Sequence, residues 1–521
     1  MSASVQSPPA VAANDNPVGI AFLGAGITSL SAAIRAIENG ADPKSIVIYE
    51  ASNRTGGKIQ TGYLADGTHV NMGAEFIDSD HTRLIARAQE LGVKLVDSNN
   101  LDNEHFQLPD GKVLEGEQFH QQFEPIAAKI RTHKAAVLAQ PDGPLAKQLN
   151  NMSMNDYITA LRDNTLVDPA PSMLKRVRNF VVGNDNHVSQ AIASTAMQSF
   201  ASEVGQPARN INALSFLHEA SAEPGAFLDS DCAYRVEGGT ENIIKAMEAR
   251  LTSLGVRIEK NARATHVEKE GDHKRITFAD GKTVTAGKMF IGLPAYAVGK
   301  ITGLESVGIT PEVQQILGEA QYTNNLKFTV KLNPGAPGVK GNFFANHGMQ
   351  VWSAGEGQMT FLVNADKLEK MSASALVEAC KNSYAKANGT TADVLFAQGP
   401  GSIVYNNPGK GNGCYASAKP GETRTFEHLT EKLDAAQEHG VAVAGTYLPL
   451  KSDKGIGVGF MECGVVSGER AMDMLVQPKK EHAPAIQQIL DRGASNDNDG
   501  HVAMVEQRRA AEPTASTAAA R

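Results

Sequence analysis

Residues 18–50 read "VGIAFLGAGITSLSAAIRAIENGADPKSIVIYE", and the fold follows from this stretch. The apolar run from Val18 to Leu23 has the length of a buried strand. Leu30, Ala33, Ile34 and Ile37 then recur at helical spacing, and Gly40 stands where a helix ends on a left-handed residue. A second apolar run, "SIVIYE" at residues 45–50, follows as a strand. Strand, tight turn, helix and strand make one βαβ unit, so the expected class is α/β with parallel strands.

The turn inside that unit is "GAGITS", residues 24–29. Gly24 permits a tight turn, and Gly26 lets the backbone approach a pyrophosphate with no Cβ in the way. The helix N-terminus then turns unpaired N–H groups toward the phosphates. Ser29 stands where a third glycine is usual, and serine is small enough for close helix–strand packing. Glu50 closes the second strand, 24 residues after Gly26. A carboxylate there accepts hydrogen bonds from ribose hydroxyls and repels a 2′-phosphate, which predicts FAD or NAD over NADP. A glycine-rich turn occurs in any α/β fold; strand, helix and acid together carry the dinucleotide reading.

Composition narrows the class. The chain has 521 residues, enough for two or three domains. Its net charge of −8 supplies no basic stripe for nucleic acid. Cys232, Cys380, Cys414 and Cys463 show no zinc or disulfide spacing, so a reducing cytoplasm is expected. No apolar run approaches eighteen residues, so no membrane span is expected.

The remaining segments fall into an interrupted order. Residues 1–16 read as a disordered arm and 479–521 as a disordered tail. The nucleotide domain is expected in three pieces, 17–96, 229–300 and 431–478. The middle piece carries a helix from about Glu241 to Leu254 and a hairpin turning at Asp280-Gly281. A second domain fills 97–228, read as helical, and 301–430, read as mixed helix and strand.

"EASNRTGGKIQT", residues 50–61, sets a carboxylate, Arg54 and Gly56-Gly57 in a row. That sequence resembles the signature of the flavin amine oxidase superfamily, with Arg54 reaching the pyrophosphate. "DGTHVNMGAEFID", residues 66–78, is similar to the family's next segment, where the Gly73-Ala74 backbone passes the isoalloxazine. "YRVEGGTENIIKAM", "NARATHVEKEGDHKRITFADGKTVTAGKMFIGLP" and "VAVAGTYLP" with "GFMECGVVSGERA" resemble its remaining cofactor segments. The matches cover a little under half the chain. They imply a Rossmann-like FAD-binding domain interrupted by a mixed helical and sheet substrate domain, an α+β two-domain flavoprotein.

The resemblance also implies site residues. Lys327, in "QYTNNLKFTVKL", matches the lysine that holds a water at flavin N5, where a desolvated amine aids proton movement or oxygen activation. "YNNPGKGNGCYASAKPG" resembles the monoamine oxidase stretch with a flavin-linked cysteine and an adjoining tyrosine. Cys414 then matches the cysteine, Tyr415 one wall of an aromatic box, and Tyr405 the position of a tryptophan. Phe460 matches the other wall, Met461 the backbone at flavin O2, Thr446 a ribityl or phosphate contact, and Ala264 the adenine-side strand. FAD is held non-covalently in most of the family and covalently in the monoamine oxidases, so Cys414 leaves both modes open.

Glu75, Asp78, Asp80 and His81 form an acidic cluster, read as binding a substrate ammonium or, for Asp78 to Asp80, as capping the helix that follows. Trp352 reads as a core strand aromatic, and Cys232, Cys380 and Cys463 as packing residues. The expected activity is hydride transfer from a neutral amine to flavin N5, with O2 reoxidising the flavin to give H2O2. An L-amino-acid oxidase, a desaturase-like enzyme and a non-catalytic flavin-binding protein are the alternatives. The partners are a small amine and O2, without nucleic acid or membrane, and a homodimer is compatible with the reading.

Overall fold

Val18–Leu23 forms the expected strand, and its sheet partners come from three distant parts of the chain. The computed structural model describes residues 17–477 apart from 99–103, 167–187, 225–227, 229, 324, 338–341, 346–347, 356, 365–370, 407–412 and 453–454. The arm 1–16 and the tail 479–521 lie outside the described residues.

In the first sheet, Val18–Leu23 lies between two parallel neighbours, Ile46–Tyr49 and Thr283–Ile291. Arg257–Glu259 continues one side, parallel to Ile46–Tyr49. The far edge of Thr283–Ile291 is shared. Its first half pairs antiparallel with His273–Phe278, and its last three residues pair parallel with Val441–Val443. Ala264–Glu270 completes the hairpin side. The central strands are buried on both faces, which explains their unbroken apolar runs.

The helix Ile27–Glu38 ends as its sequence predicts. Gly40 has φ +94°, the Gly40 N–H donates to the Ile37 carbonyl, and the Ala41 N–H donates to the Ala36 carbonyl. The final helix, Met461–Leu475, crosses the first at close range. A Cβ on Gly464 would lie 2.8 Å from Thr28 Oγ1, and one on Gly468 would lie 2.7 Å from the Thr28 carbonyl oxygen. Buried polar groups also join the two helices: Ser31 donates to Glu469, and Arg35 pairs with Asp473 at 2.6 Å. The helix Glu241–Ser253 and the turn at Gly281, φ +84°, form where expected.

The second sheet runs in the order Ile403–Asn406, Asn325–Lys331, Gln358–Asn364, Met349–Gly355, Asn342–Ala345, His105–Gln107, Val113–Glu115. Its two faces differ because side chains alternate along each strand. Leu326, Phe328, Val330, Val351, Phe361 and Val363 turn to one side and pack with the helix Ala373–Ala387. Asn325, Lys327, Thr329, Gln350, Trp352 and Thr360 take the alternate positions, and most of them make polar contacts. One expectation is corrected. The 97–228 stretch is not helical throughout, since His105–Gln107 and Val113–Glu115 extend this sheet, drawn in by buried Phe106 and Leu114.

Candidate active site

The first glycine turn leaves room where an anion would sit. Gly24 has φ +94°, and a Cβ there would lie 2.8 Å from Leu293 Cδ2. A Cβ on Gly26 would meet no atom within 4 Å, and one on Gly57 only Gly26 Cα, at 3.6 Å. The two loops are tied by the Gly56 N–H, which donates to the Ala25 carbonyl. The helix that starts after Gly26 has no side-chain cap. Open space, two glycines and uncapped N–H groups fit a dinucleotide pyrophosphate. Ser29 is fully buried, and a Cβ on Gly292 would overlap its hydroxyl, so it performs the close packing expected of the third glycine.

Glu50 is held in place by that turn. Its Oε2 accepts from the Ala25 N–H and its Oε1 from the Ser52 N–H, both at 2.8 Å. The backbone carbonyl of Glu50 accepts from Ala262, not from Ala264. Ala264 begins its strand opposite Phe278. Arg54 clamps its own loop, donating to the carbonyls of Thr55 and Ile59 at 3.1 Å and of Gly57 at 2.5 Å.

Lys58 follows the glycine pair and was not singled out in the sequence. Its Nζ lies 4.6 Å from the centre of the Tyr322 ring. Burial pushes its pKa down to about 8, with the Cys414 thiol pulling the other way. A Cβ on Gly73 would overlap the Lys58 carbonyl, so the Gly73-Ala74 backbone can pass here only as glycine.

Gly73 leads to the centre of the site. Lys327 Nζ donates to the Gly73 carbonyl at 2.9 Å and to Glu75 Oε2 at 2.6 Å. Trp352 Nε1 donates to Glu75 Oε1 at 3.2 Å, and Arg235 pairs with the same oxygen at 3.1 Å. Arg235 also stacks over Phe76 and donates to the Ser353 carbonyl. Burial pushes the Glu75 carboxyl up, but Lys327 and Arg235 outweigh it and hold the pKa below its ordinary value. Lys327 is therefore a buried, ion-paired amine, and Trp352 is a hydrogen-bonding member of the cluster.

Tyr415 is fixed by its backbone, whose N–H donates to Thr323 Oγ1 at 3.0 Å and whose carbonyl accepts from the Thr323 N–H at 2.8 Å. Its ring borders Gly459, φ +91°, the residue before Phe460. Phe460 is the N-cap of the final helix, Met461 is its buried first residue, and the helix start has no side-chain cap. The Thr446 carbonyl accepts from the Gly459 N–H at 2.7 Å, which brings that threonine to the same helix start. Burial raises the Cys414 thiol, while Lys58 and Lys327 pull it down.

Two expectations are corrected here. Tyr405 pairs with Phe328, so it belongs to the row facing away from Lys327, and it is 48% exposed. Asn406 stands opposite Lys327 and donates to the Met72 carbonyl. The helix Thr82–Glu90 has no cap from Asp78 or Asp80 side chains. Glu462, from the final helix, accepts from the N–H groups of Arg83 and Leu84 at 2.9 and 2.7 Å. Asp78 is occupied by the Ser230 hydroxyl, the Cys232 N–H and His81.

A cavity lined by Ser215, His218, Glu219, Thr423, Tyr447 and Val458 adjoins the segments that carry Tyr415 and Phe460. Burial raises Glu219 to about 7 against the charge of Lys134. Among the described residues no helix is long and apolar enough to cross a membrane.

Comparison with known proteins bears on this geometry. The family described as "Flavin containing amine oxidoreductase" matches residues 30–471. Nicotine dehydrogenase of Pseudomonas putida (strain DSM 28022 / S16) is 23% identical over 323 residues. The match covers 60% of this chain, and the chain spans 60% of the length of that relative. Among solved structures, putrescine oxidase bound to putrescine aligns with a TM-score of 0.69 at 17% identity, over 88% of this chain and 99% of that one. Cyclohexylamine oxidase from Brevibacterium oxydans IH-35A aligns with a TM-score of 0.67 at 14% identity, over 89% and 99%.

Proposed function

The chain belongs to the flavin-containing amine oxidoreductase family, and on that premise we propose that it oxidises a neutral amine with FAD and O2, releasing an imine that water hydrolyses, and H2O2. Bound FAD would supply the acceptor for the hydride leaving the amine carbon and would pass the electrons on to O2. Residues of this chain would do the rest. Gly24, Gly26, Gly56 and Gly57 would admit the pyrophosphate, Ser29 would keep the first helix close to the sheet, and Glu50 would accept from ribose. Arg54 would stiffen the loop under the phosphates. Thr446 and Met461 would meet the cofactor at the start of the final helix, whose positive end favours negative charge.

Tyr415 and Phe460 would flank the amine, orient its C–H bond and exclude water. Lys327 would hold a proton-relaying water, with Glu75 fixing the amine's position. The single observation that carries the reading is the Lys327–Glu75–Trp352 cluster tied to the Gly73 carbonyl, because it sets a buried, ion-paired lysine against the Gly73-Ala74 backbone.

Amino-acid oxidation would need an arginine free to take the substrate carboxylate. Arg235 is the buried arginine of this cluster, and it is committed to Glu75 and Ser353, which favours amines. We propose that the FAD is retained without a covalent bond, because burial raises the Cys414 thiol above its ordinary range and disfavours the attacking thiolate. Acid precipitation checks this: colour left in the pellet would establish a thioether. The two sheets would serve as the FAD and substrate domains, and cysteines that form no disulfide support a cytoplasmic enzyme.

A peroxide-coupled screen of amines and amino acids on the FAD-loaded protein tests the function. Peroxide from amines is expected. Peroxide from amino acids alone, or from neither class, would overturn the reading.

A further inference from the structure

Glu219 ends the helix Ala213–Glu219, and it serves neither the cofactor turn nor the lysine cluster. It lines the cavity formed with Ser215, Thr423, Tyr447 and Val458. That cavity shares its walls with the proposed amine site. Ala416, next to Tyr415, and Val458, two residues before Phe460, both line it. Between Val458 and Phe460 stands Gly459, where a Cβ would lie 3.4 Å from Tyr415 Cδ1. The charge of Glu219 reaches Cys463, in the first turn of the final helix.

Polar groups line this space. The Ser215 and Thr423 hydroxyls lie 2.8 Å apart. Tyr447 is 1% exposed, and among the described residues its hydroxyl has no hydrogen-bond partner. Buried hydroxyls are nearly always paired, so this one suits a polar molecule in the cavity. The free space is about that of one or two water molecules.

Amine oxidation needs a proton acceptor, because alkylamines arrive as ammonium ions at neutral pH and hydride leaves only the neutral amine. Glu75 and Glu203 both act on Tyr415 by charge, yet neither suits the task. Glu75 is held as an anion by Lys327 and Arg235. Burial first, then the carboxylates of Glu104, Glu219 and Asp78, raise Glu203 well above the ordinary range, so it keeps its proton. Glu219 lies between these extremes. Burial raises it to about 7, and Lys134 opposes. Lys134 Nζ, from the helix Gly116–Ala139, donates to the carbonyls of His218 and Ala220 at 3.0 and 2.7 Å, at the same helix end. A base near the working pH exchanges protons most readily. The titratable groups facing Glu219 are thus Lys134, His218, Tyr447, Glu203 and Cys463.

Resting on the amine-oxidising reading above, we propose that Glu219 takes the proton from the substrate ammonium, through water in the cavity, before hydride transfer. One N–H bond of the ammonium breaks, and one O–H bond of the carboxyl forms. No electrons change hands in this step. An ammonium and a carboxylate become a neutral amine and a neutral acid, the pair that a water-poor interior favours. The protein can then accept the abundant ammonium form without expelling a proton.

The test counts protons. A tert-alkylamine has no C–H beside nitrogen, so it binds without turnover, and at about pH 8 it is an ammonium. A fluorinated tert-alkylamine of matched size, neutral at that pH, is the second probe. Calorimetry on the FAD-loaded protein, in buffers of different ionisation enthalpy, reads the protons exchanged on binding. In the wild type the alkylamine should exchange none, and the fluorinated amine should draw about one proton from the buffer into Glu219. In Glu219→Gln the alkylamine should release about one proton and the fluorinated amine should exchange none. Infrared difference spectra should show a protonated carboxyl band on binding in the wild type and not in Glu219→Gln. The wild-type counts carry the test if that variant fails to fold. A proton released by the alkylamine in the wild type would mean that Glu219 stays ionised, and no exchange with either amine would mean that the ammonium keeps its proton. Either result would overturn the proposal and, with peroxide still formed from amines, leave amine oxidation standing. Failure to oxidise any amine would remove both.

Discussion

Lys327 Nζ lies 2.6 Å from Glu75 Oε2, across 252 residues of sequence, and each side chain is at most one-tenth exposed. Two opposite charges out of water need one another, and Arg235 and Trp352 complete the pairing.

Glu75→Leu should destabilise the protein by about 3–5 kcal/mol, because Lys327 and Arg235 would be left buried without an anion. A lowered urea midpoint at unchanged slope would register this. The pH dependence has a definite sign. The folded pKa of Glu75 is held below the ordinary 4.5, so its stabilisation is present above that value and is lost as pH falls through the folded pKa. Glu75→Gln should flatten that part of the acid limb.

Lys327→Met leaves Glu75 with Arg235, so it should cost less stability than Glu75→Leu. Its main effect should be on reoxidation, about 100-fold slower, with a smaller loss in reduction by substrate. Stopped-flow measurement of the two half-reactions separates them. Equal losses would argue for a positioning role only.

Gly24→Ala and Gly26→Ala should part company. At Gly24, φ is +94° and Leu293 blocks a Cβ, so the substitution should cost at least about 1–2 kcal/mol. At Gly26 a Cβ meets nothing in the protein, and stability should change by less than about 0.5 kcal/mol. FAD binding should nevertheless fall sharply in Gly26→Ala. Thermal melts of cofactor-free protein and FAD titrations would show the contrast.

Lys58 should make FAD binding pH-dependent. Burial lowers its pKa from 10.5 to about 8, so the cation that attracts an anionic cofactor persists below about 8 and is lost as pH rises through it. Affinity should weaken over that interval by roughly tenfold, the worth of one charge-assisted contact. Lys58→Gln should bind weakly at every pH with a flat profile in fluorescence titration.

Tyr415→Phe should keep most of the activity, since burial raises the phenol pKa and leaves the hydroxyl neutral at working pH. Tyr415→Ala should lower kcat/KM by about tenfold or more by removing one wall of the proposed amine site. Steady-state kinetics against a single amine would distinguish loss of the ring from loss of the hydroxyl.

The βαβ unit, its glycine turn, Glu50 and the Asp280-Gly281 hairpin were legible because each depends on residues a few positions apart. Periodicity and glycine's backbone freedom act at that range. Tyr405 lies beyond that range. Counting along the chain from Cys414 selects it, but pairing with Asn325–Lys331 turns Asn406 toward Lys327, and a shift of one residue exchanges the two faces of a strand. Lys58 carried a signal in its place after Gly56-Gly57, whereas Arg235 carried none.

What the sequence alone determined is the local geometry that admits a dinucleotide, since short-range sterics dictate it. Only the tertiary structure decided that Glu75 neutralises Lys327 and that Glu462 caps a helix starting at Thr82. Those outcomes depend on which distant side chains share a water-poor interior, where the strength of a charge is set by its neighbours.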